Sequence, residues 1–262
     1  MNKPLILITN DDGAYAPGLL LLTDLMRQLG EVVVVVSETS QSAMGHAITM
    51  KIPLTFYEAE SKEGYKKYIT NGTPADCVKL GLHKIAQRRP DLVVSGINHG
   101  SNSSINIIYS GTMAAVLEAA MGGIPAVGFS IQDYSREADF SGAEEYILQI
   151  GKKILEKGLP EGVGLNVNFP KADNLPYKGL KVCRQSKAYW KEDFNERYDP
   201  RTNKPYYWLT GNFHILEDSP DTDEWALAHN YVSLVPVQFD FTAHKAFDKV
   251  SEIIEYQNIK TR

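Results

Sequence analysis

A chain of 262 residues, 43% hydrophobic and 23% charged, has the composition of a folded globular protein: one large domain, or a core with an appendage. Its formal net charge of -5 excludes the basic surface that long nucleic acid requires, although a bound cation can still reverse the local potential for a small anion. No apolar run approaches the roughly 18–20 residues of a membrane span, and two cysteines, Cys77 and Cys183, give neither a disulfide framework nor metal-ligand spacing, so a cytoplasmic protein without a membrane partner is expected.

Residues 4–9 form the first predicted strand, apolar almost throughout and therefore parallel and covered on both faces. It ends in Asn10-Asp11-Asp12-Gly13, and no basic region or small-residue cleavage signal makes it a signal peptide. Leu19, Leu22, Leu25, Met26 and Leu29 recur at helical spacing, with Gly30 as the expected C-cap. Val32–Val36 is a second buried strand, which closes a βαβ unit. A small polar loop, Ser37 to Gly45, follows. His46 to Phe56 reads as an extended edge segment because of Pro53, and a hairpin around residues 58–66 returns through Tyr68-Ile69.

Thr73 and Pro74 open a helix predicted to run past Ile85, and Leu92–Ser95 is the next strand, running into Gly96-Ile97-Asn98-His99-Gly100. Ser110–Met121 is an alanine-rich helix, Ile124–Phe129 a strand, residues 143–158 an amphipathic helix ended by Gly158, and Gly164–Phe169 a short strand. The βα rhythm then stops. Val182 and Cys183 sit in a strand, and the aromatic stretch from Tyr189 to Trp208 suits a projecting hairpin or a subunit contact, with stacking on a nucleobase as the second reading. Asp221, Asp223 and Glu224 precede a short helix, Tyr231–Val237 reads as a strand, and residues 243–256 as a last helix. The expected fold class is α/β with a mostly parallel sheet, divided into a core of residues 1–175 and a C-terminal region of residues 176–262 that partly packs back on it.

Two adjacent carboxylates are too costly to bury unpaired, but at the carboxyl end of a parallel strand, where open α/β sheets bind ligands, they can hold a cation or position a water. Two further strand ends bring oxygen donors to the same side, Ser40, Gln41 and Ser42 from one loop and Asn98, Asn102 and Ser103 from the other. Such a set suits a hard divalent cation. The helix start at Ser110-Gly111-Thr112 offers free backbone N–H groups, a natural phosphate cradle. A cation beside an anion site points to hydrolysis of a phosphate ester. Each residue also has a plainer reading: Asp11 and Asp12 as turn residues, Ser110 and Thr112 as helix caps, and His46 as a packed or hydrogen-bonded side chain at the start of an extended segment.

At these residues the sequence resembles the SurE family of stationary-phase survival proteins, through ITNDDG at 8–13, QSAMGHAIT at 41–49, NGTPADC at 71–77, VSGINHG at 94–100, YSGTMAA at 109–115, LNVNFP at 165–170 and the stretch 222–237. The resemblance implies a Rossmann-like three-layer core with a smaller C-terminal oligomerisation portion. It implies one divalent metal cation per subunit, Mg²⁺ or Mn²⁺, on Asp11, Asp12, Ser42 and Asn98, and so selects Ser42 over Ser40. It places phosphate binding at Asn10, Gly45, Ser110, Gly111 and Thr112; His46 is a further candidate. It also implies hydrolysis of 5′- and 3′-nucleoside monophosphates by a homodimer or homotetramer, with Asp11 or Asp12 orienting the attacking water. The rivals are a haloacid-dehalogenase-like phosphatase, which would carry Asp-x-Asp where this chain has an adjacent pair, and a non-catalytic nucleotide sensor. A dinucleotide-binding oxidoreductase would need Gly-x-Gly-x-x-Gly after the first strand.

Overall fold

Alternate side chains of a strand leave the backbone on opposite sides, so a run such as Leu5-Ile6-Leu7-Ile8 needs apolar cover on both. In a computed structural model, which describes residues 3–135 and 137–254, the chain supplies that cover with helices above and below one sheet. Among the described residues the strands in chain order are β1 (Leu5–Thr9), β2 (Glu31–Ser37), β3 (Phe56–Lys62), β4 (Tyr65–Thr70), β5 (Leu92–His99), β6 (Ala126–Ile131), β7 (Val163–Phe169), β8 (Leu180–Val182), β9 (Ala188–Tyr198), β10 (Pro205–Ile215) and β11 (Val232–Gln238). The helices are α1 (Pro17–Met26), α2 (Pro74–Leu80), α3 (Gly111–Met121), α4 (Glu144–Lys157), α5 (Asp223–Ala228) and α6 (Phe247–Ile253).

The main sheet has the order β3-β4-β2-β1-β5-β6-β7-β11-β8. Strands from β4 to β7 run parallel, while β3 and β11 pair antiparallel with their neighbours β4 and β7. On one face Ile6, Ile8, Val32, Val34, Val94 and Phe129 pack against Leu22 and Met26 of α1 and Ile147, Ile150 and Ile154 of α4. On the other, Leu5, Leu7, Val33, Val35 and Val93 meet Cys77 and Val78 of α2 and Met113, Val116 and Ala119 of α3. Each fully buried aliphatic side chain contributes about 1.5–3 kcal/mol, which is why the valine run of β2 specifies its place in the interior. Helix α3 lies close to the sheet: a Cβ on Gly128 of β6 would stand 2.6 Å from the Met113 sulfur.

The chain leaves β1 in one direction for β2 and β4, then returns to build β5 on the opposite side of β1. The carboxyl ends of β1 and β5 therefore flank the switch point of the sheet, where α/β folds open a crevice.

Several elements differ in extent from their sequence signals. Helix α1 ends at Met26, and Gly30 lies beyond a further turn, where its glycine admits the Pro4 carbonyl to 2.3 Å of where a Cβ would be. Helix α2 gives way after Leu80 to a single π-helical turn, Gly81–Ile85, at the point where a Cβ on Gly81 would meet Leu7. Strand β5 continues four residues past Ser95 to His99, with a bulge between Ser95 and Asn98 against β6. The segment from His46 to Thr55 contains no strand, and edge pairing begins at Phe56. Helix α6 begins at Phe247, after a short 3₁₀ turn; residues 255–256 of the predicted helix lie outside the described residues. The aromatic stretch is the two-stranded antiparallel hairpin β9–β10, a sheet of its own.

Candidate active site

The turn that follows β1 bends sharply at Gly13, whose φ of +106° is open to glycine and costly for other residues. Asp11 and Asp12 leave this turn toward different neighbours. Asp11, 3% exposed, accepts a hydrogen bond on Oδ1 from the Thr112 hydroxyl at 2.6 Å. Gly111 makes room for it, since an added Cβ there would lie 2.8 Å from the Asp11 Cβ. Asp12 turns to the end of β5 and accepts from the backbone amide of His99 at 3.3 Å. Burial pushes the Asp11 carboxyl up to about 6, against the pull of Thr112 and with a further push from Asp12. Burial also raises Asp12, against the His99 amide. Two desolvated acids side by side form a site that favours a cation.

The loop after β2 folds over this pair. The Gln41 amide donates to the Asp11 carbonyl at 2.8 Å and the Ser40 hydroxyl to the same oxygen at 3.3 Å, while the Ser40 and Ser42 hydroxyls stand 3.0 Å apart. Asn98, re-aimed by the bulge in β5, donates its amide N–H to the Gly100 carbonyl at 2.7 Å, which fixes the side chain and turns its Oδ1 away from that bond. Lys67, buried beneath Tyr15, donates to the Ala14 carbonyl at 2.6 Å and pins the far side of the acid turn.

Asp11, Ser42, Asn98 and Ser110 line one cavity of about 590 Å³. Its other walls are Ser101 and Asn102 from the loop after β5, Tyr109 and Tyr134 at the mouth, and Trp190, Glu192 and Leu209 from the hairpin. The lining combines oxygen donors with aromatic rings. Among the described residues no three His, Cys, Asp or Glu side chains cluster to hold a metal, and Asp12, turned to the His99 amide, does not line the cavity, so a cation here must draw on neutral oxygens as well as on the acids. The donors that share the cavity meet that need, and the buried Oδ1 of Asn10 has no hydrogen-bond partner among the described residues. The chemistry of this set fits a hard divalent ion.

Other predicted residues stand elsewhere. The Ser110 hydroxyl caps α3 by accepting from the Met113 amide at 3.0 Å. Thr112 is fully buried and its one hydroxyl proton is committed to Asp11, so its observed role is to hold that carboxylate. Gly45 takes φ +55° and donates its amide to the Tyr109 carbonyl, seating the loop on the cavity rim. His46 does not line the cavity: its Nε2 lies 3.1 Å from Glu118, which also binds Lys79. Asn10 donates to the Gly13 carbonyl and shapes the acid turn from below.

Sequence reading ranked a subunit contact above a cavity wall for the hairpin, and it missed the backbone of His99 and the cavity role of Glu192 and Leu209. Trp190 bonds Asn106 across 84 residues of sequence, through Nε1 to Oδ1 at 2.9 Å, and no local pattern announces such a pairing.

The sequence profile of the family described as Survival protein SurE matches residues 6–192. This chain belongs to the SurE family. It is 55% identical to a 5′-nucleotidase SurE of Christiangramia forsetii over 92% of this chain and 94% of that one. To a 5′-nucleotidase SurE of Flavobacterium psychrophilum it is 53% identical, over 96% of this chain and 98% of the relative. The crystal structure of a SurE protein from Aquifex aeolicus superposes with a TM-score of 0.80 at 37% identity, covering 96% of this chain and all of that one. The fold is thus the mostly parallel, Rossmann-like α/β architecture of SurE proteins. No helix among the described residues is long and apolar enough to cross a membrane.

Proposed function

We propose that the protein is a metal-dependent phosphomonoesterase that hydrolyses 5′- and 3′-nucleoside monophosphates to nucleoside and phosphate. The observation that carries this reading is that one cavity gathers the oxygens of Asp11, Ser42 and Asn98 and the rings of Tyr109, Tyr134 and Trp190. A nucleotide calls for both chemistries, an anionic phosphate and a flat, stackable base. Relatives at 53–55% identity bear the name 5′-nucleotidase, which supports it.

Asp11, Asp12, Ser42 and Asn98 would hold one divalent cation per subunit, Mg²⁺ or Mn²⁺. When bound, such an ion supplies charge neutralisation of the phosphate and a water of lowered pKa. The carboxylate pair would orient the attacking water and take its proton, the water oxygen bonds to phosphorus as the ester P–O bond breaks, and the leaving oxygen takes a proton from solvent so that the nucleoside departs as an alcohol. Thr112 keeps Asp11 in place, and the His99 amide does so for Asp12. Backbone amides at the start of α3 and around Gly45, with Asn10, form the anion-binding surroundings.

The core of residues 1–175 carries the catalytic acids, and residues 176–262, which pack back on it in part through β8 and β11, also serve assembly into a dimer or tetramer. The exposed side chains of Phe247, Val250 and Ile253 along α6 support this division, because such a stripe is stable in water only when covered. Cys77 and Cys183 are both unpaired thiols, which suits a cytoplasmic setting.

A panel of 5′- and 3′-monophosphates assayed with Mg²⁺ and Mn²⁺ tests the proposal. Phosphate release that EDTA abolishes and added metal restores is the expected result; nucleotide binding without turnover under any metal would make the protein a sensor.

A further inference from the structure

Apart from Asp76, which caps α2, two acids outside the catalytic pair are also deeply buried. Asp223 is 1% exposed and Glu224 7% exposed, at the start of α5. Neither carboxylate accepts a hydrogen bond from a cationic side chain among the described residues. Burial raises both carboxyls, and what offsets that cost is a set of N–H and O–H donors. Their identity is informative.

Asp223 Oδ2 accepts from the Ser104 amide at 2.7 Å, and its Oδ1 accepts from the Ser186 amide at 2.9 Å. Ser104 ends the loop that carries Ser101 and Asn102 into the cavity, and it adopts φ +53°, a conformation that needs external support in a residue with a side chain. Ser186 lies two residues before β9, the strand that brings Trp190 and Glu192 to the opposite wall. Ser104 and Ser186 are also joined directly, through the Ser104 hydroxyl and the Ser186 carbonyl at 2.8 Å. Glu224 adds a bond from the Ser103 hydroxyl at 2.5 Å. On its other flank the same loop is tied to β7, where Asn168 accepts from the Asn102 amide at 2.8 Å and Asn166 donates to the Asn102 carbonyl at 2.9 Å. The core side of the cavity is thereby rigid, and one carboxylate spans from it to the base of the hairpin.

We infer that Asp223 is a positioning residue that fixes the hairpin wall against the core loop and so sets the fit of the nucleoside half of the substrate. The inference rests on the nucleotidase reading above. It assigns Asp223 no contact with substrate and no part in the chemistry at Asp11 and Asp12.

The experiment is steady-state kinetics of Asp223→Asn on the metal-loaded enzyme. The substitution keeps the size but must place an NH₂ opposite backbone amides that now donate, Ser104 on one side or Ser186 and Glu224 on the other, so the tie between the loop and the hairpin is lost. KM for AMP should rise about tenfold, the weight of one charge-assisted bond, with kcat little changed. The inhibition constant of adenosine should rise in step, while that of inorganic phosphate, which carries no base, should stay within about twofold of wild type. A merely structural role would lower kcat through the active fraction and leave KM and both inhibition constants where they were; that result overturns the inference, as does a rise in the phosphate constant equal to that for adenosine. Trp190→Ala, on the exposed hairpin, serves if Asp223→Asn does not fold: a raised adenosine constant there supports the idea and an unchanged one sinks it. Absence of AMP hydrolysis by the wild type would instead strike the nucleotidase reading itself.

Discussion

Asp11 sits where the fold gains little from a charge, beside the like charge of Asp12 and cut off from water, with Thr112 as its fixed donor. Asparagine in its place retains an oxygen for the Thr112 hydroxyl and removes the repulsion. Asp11→Asn should therefore lower kcat/KM by about 100-fold or more while its melting temperature in EDTA stays level with wild type or rises; calorimetry beside a phosphate-release assay checks both halves. The acid pair was legible in the sequence because an apolar strand can end in two adjacent carboxylates only where water or a cation reaches them. Ser42 was legible only through family resemblance. Ser40 and Ser42 share one loop chemistry, and the cavity lining separates them: Ser42 faces the space while Ser40 braces the Asp11 carbonyl. Thr112 has a role the sequence did not announce. Its hydroxyl has a single proton and the buried Asp11 carboxylate claims it, which leaves the backbone N–H groups at this helix start for an anion.

At the level of elements, α2 is held at its start by a reciprocal cap, the Thr73 hydroxyl accepting from the Asp76 amide and the Asp76 carboxylate accepting from the Thr73 amide at 2.9 Å. Thr73→Ala should cost about 1 kcal/mol and lower the melting temperature by about 2–4 °C, without altering KM, as thermal unfolding and kinetics would record. The hairpin has its own anchor at the base. Arg184 grips Glu217 with two bonds, at 2.7 and 3.0 Å, and holds its carboxyl down at about 2, against an ordinary value of 4.5. A depressed acid stabilises the folded state above its unfolded pKa and loses that contribution as pH falls through the folded one. The stability deficit of Glu217→Gln should thus be full at neutral pH and shrink between pH 4.5 and 2, seen as converging melting curves. Strand β5 explains why element ends were harder to read than elements. Gly96 and Gly100 carry the composition of a loop, but Gly96 lies where a Cβ would strike the Phe129 carbonyl at 2.3 Å, so the strand continues through it only because the side chain is missing.

For the whole molecule, the alternation of apolar residues named both helix layers in advance, since each strand's two faces had to be covered. The C-terminal region was legible only in outline, because contacts such as Asp223 to Ser104 join residues 119 apart and leave no periodic trace. Its exposed helix α6 gives a test at this scale. Val250→Asp with Ile253→Asp places two charges in the apolar stripe, and the measured mass by light scattering should fall to that of a smaller assembly or a monomer while the circular dichroism of the core is unchanged; an unaltered mass would remove α6 from the assembly surface.

The hairpin's separateness from the main sheet has an evolutionary corollary. Strands β9 and β10 exchange backbone hydrogen bonds with each other in a sheet of their own, while the acids rise from strands of the other sheet. Selection acting on ligand preference can therefore rewrite residues 188–215 wholesale, as a cassette, with little penalty to the hydrolytic machinery. Chimeras that transplant this segment between relatives should carry substrate preference with the graft and leave the catalytic ceiling with the host.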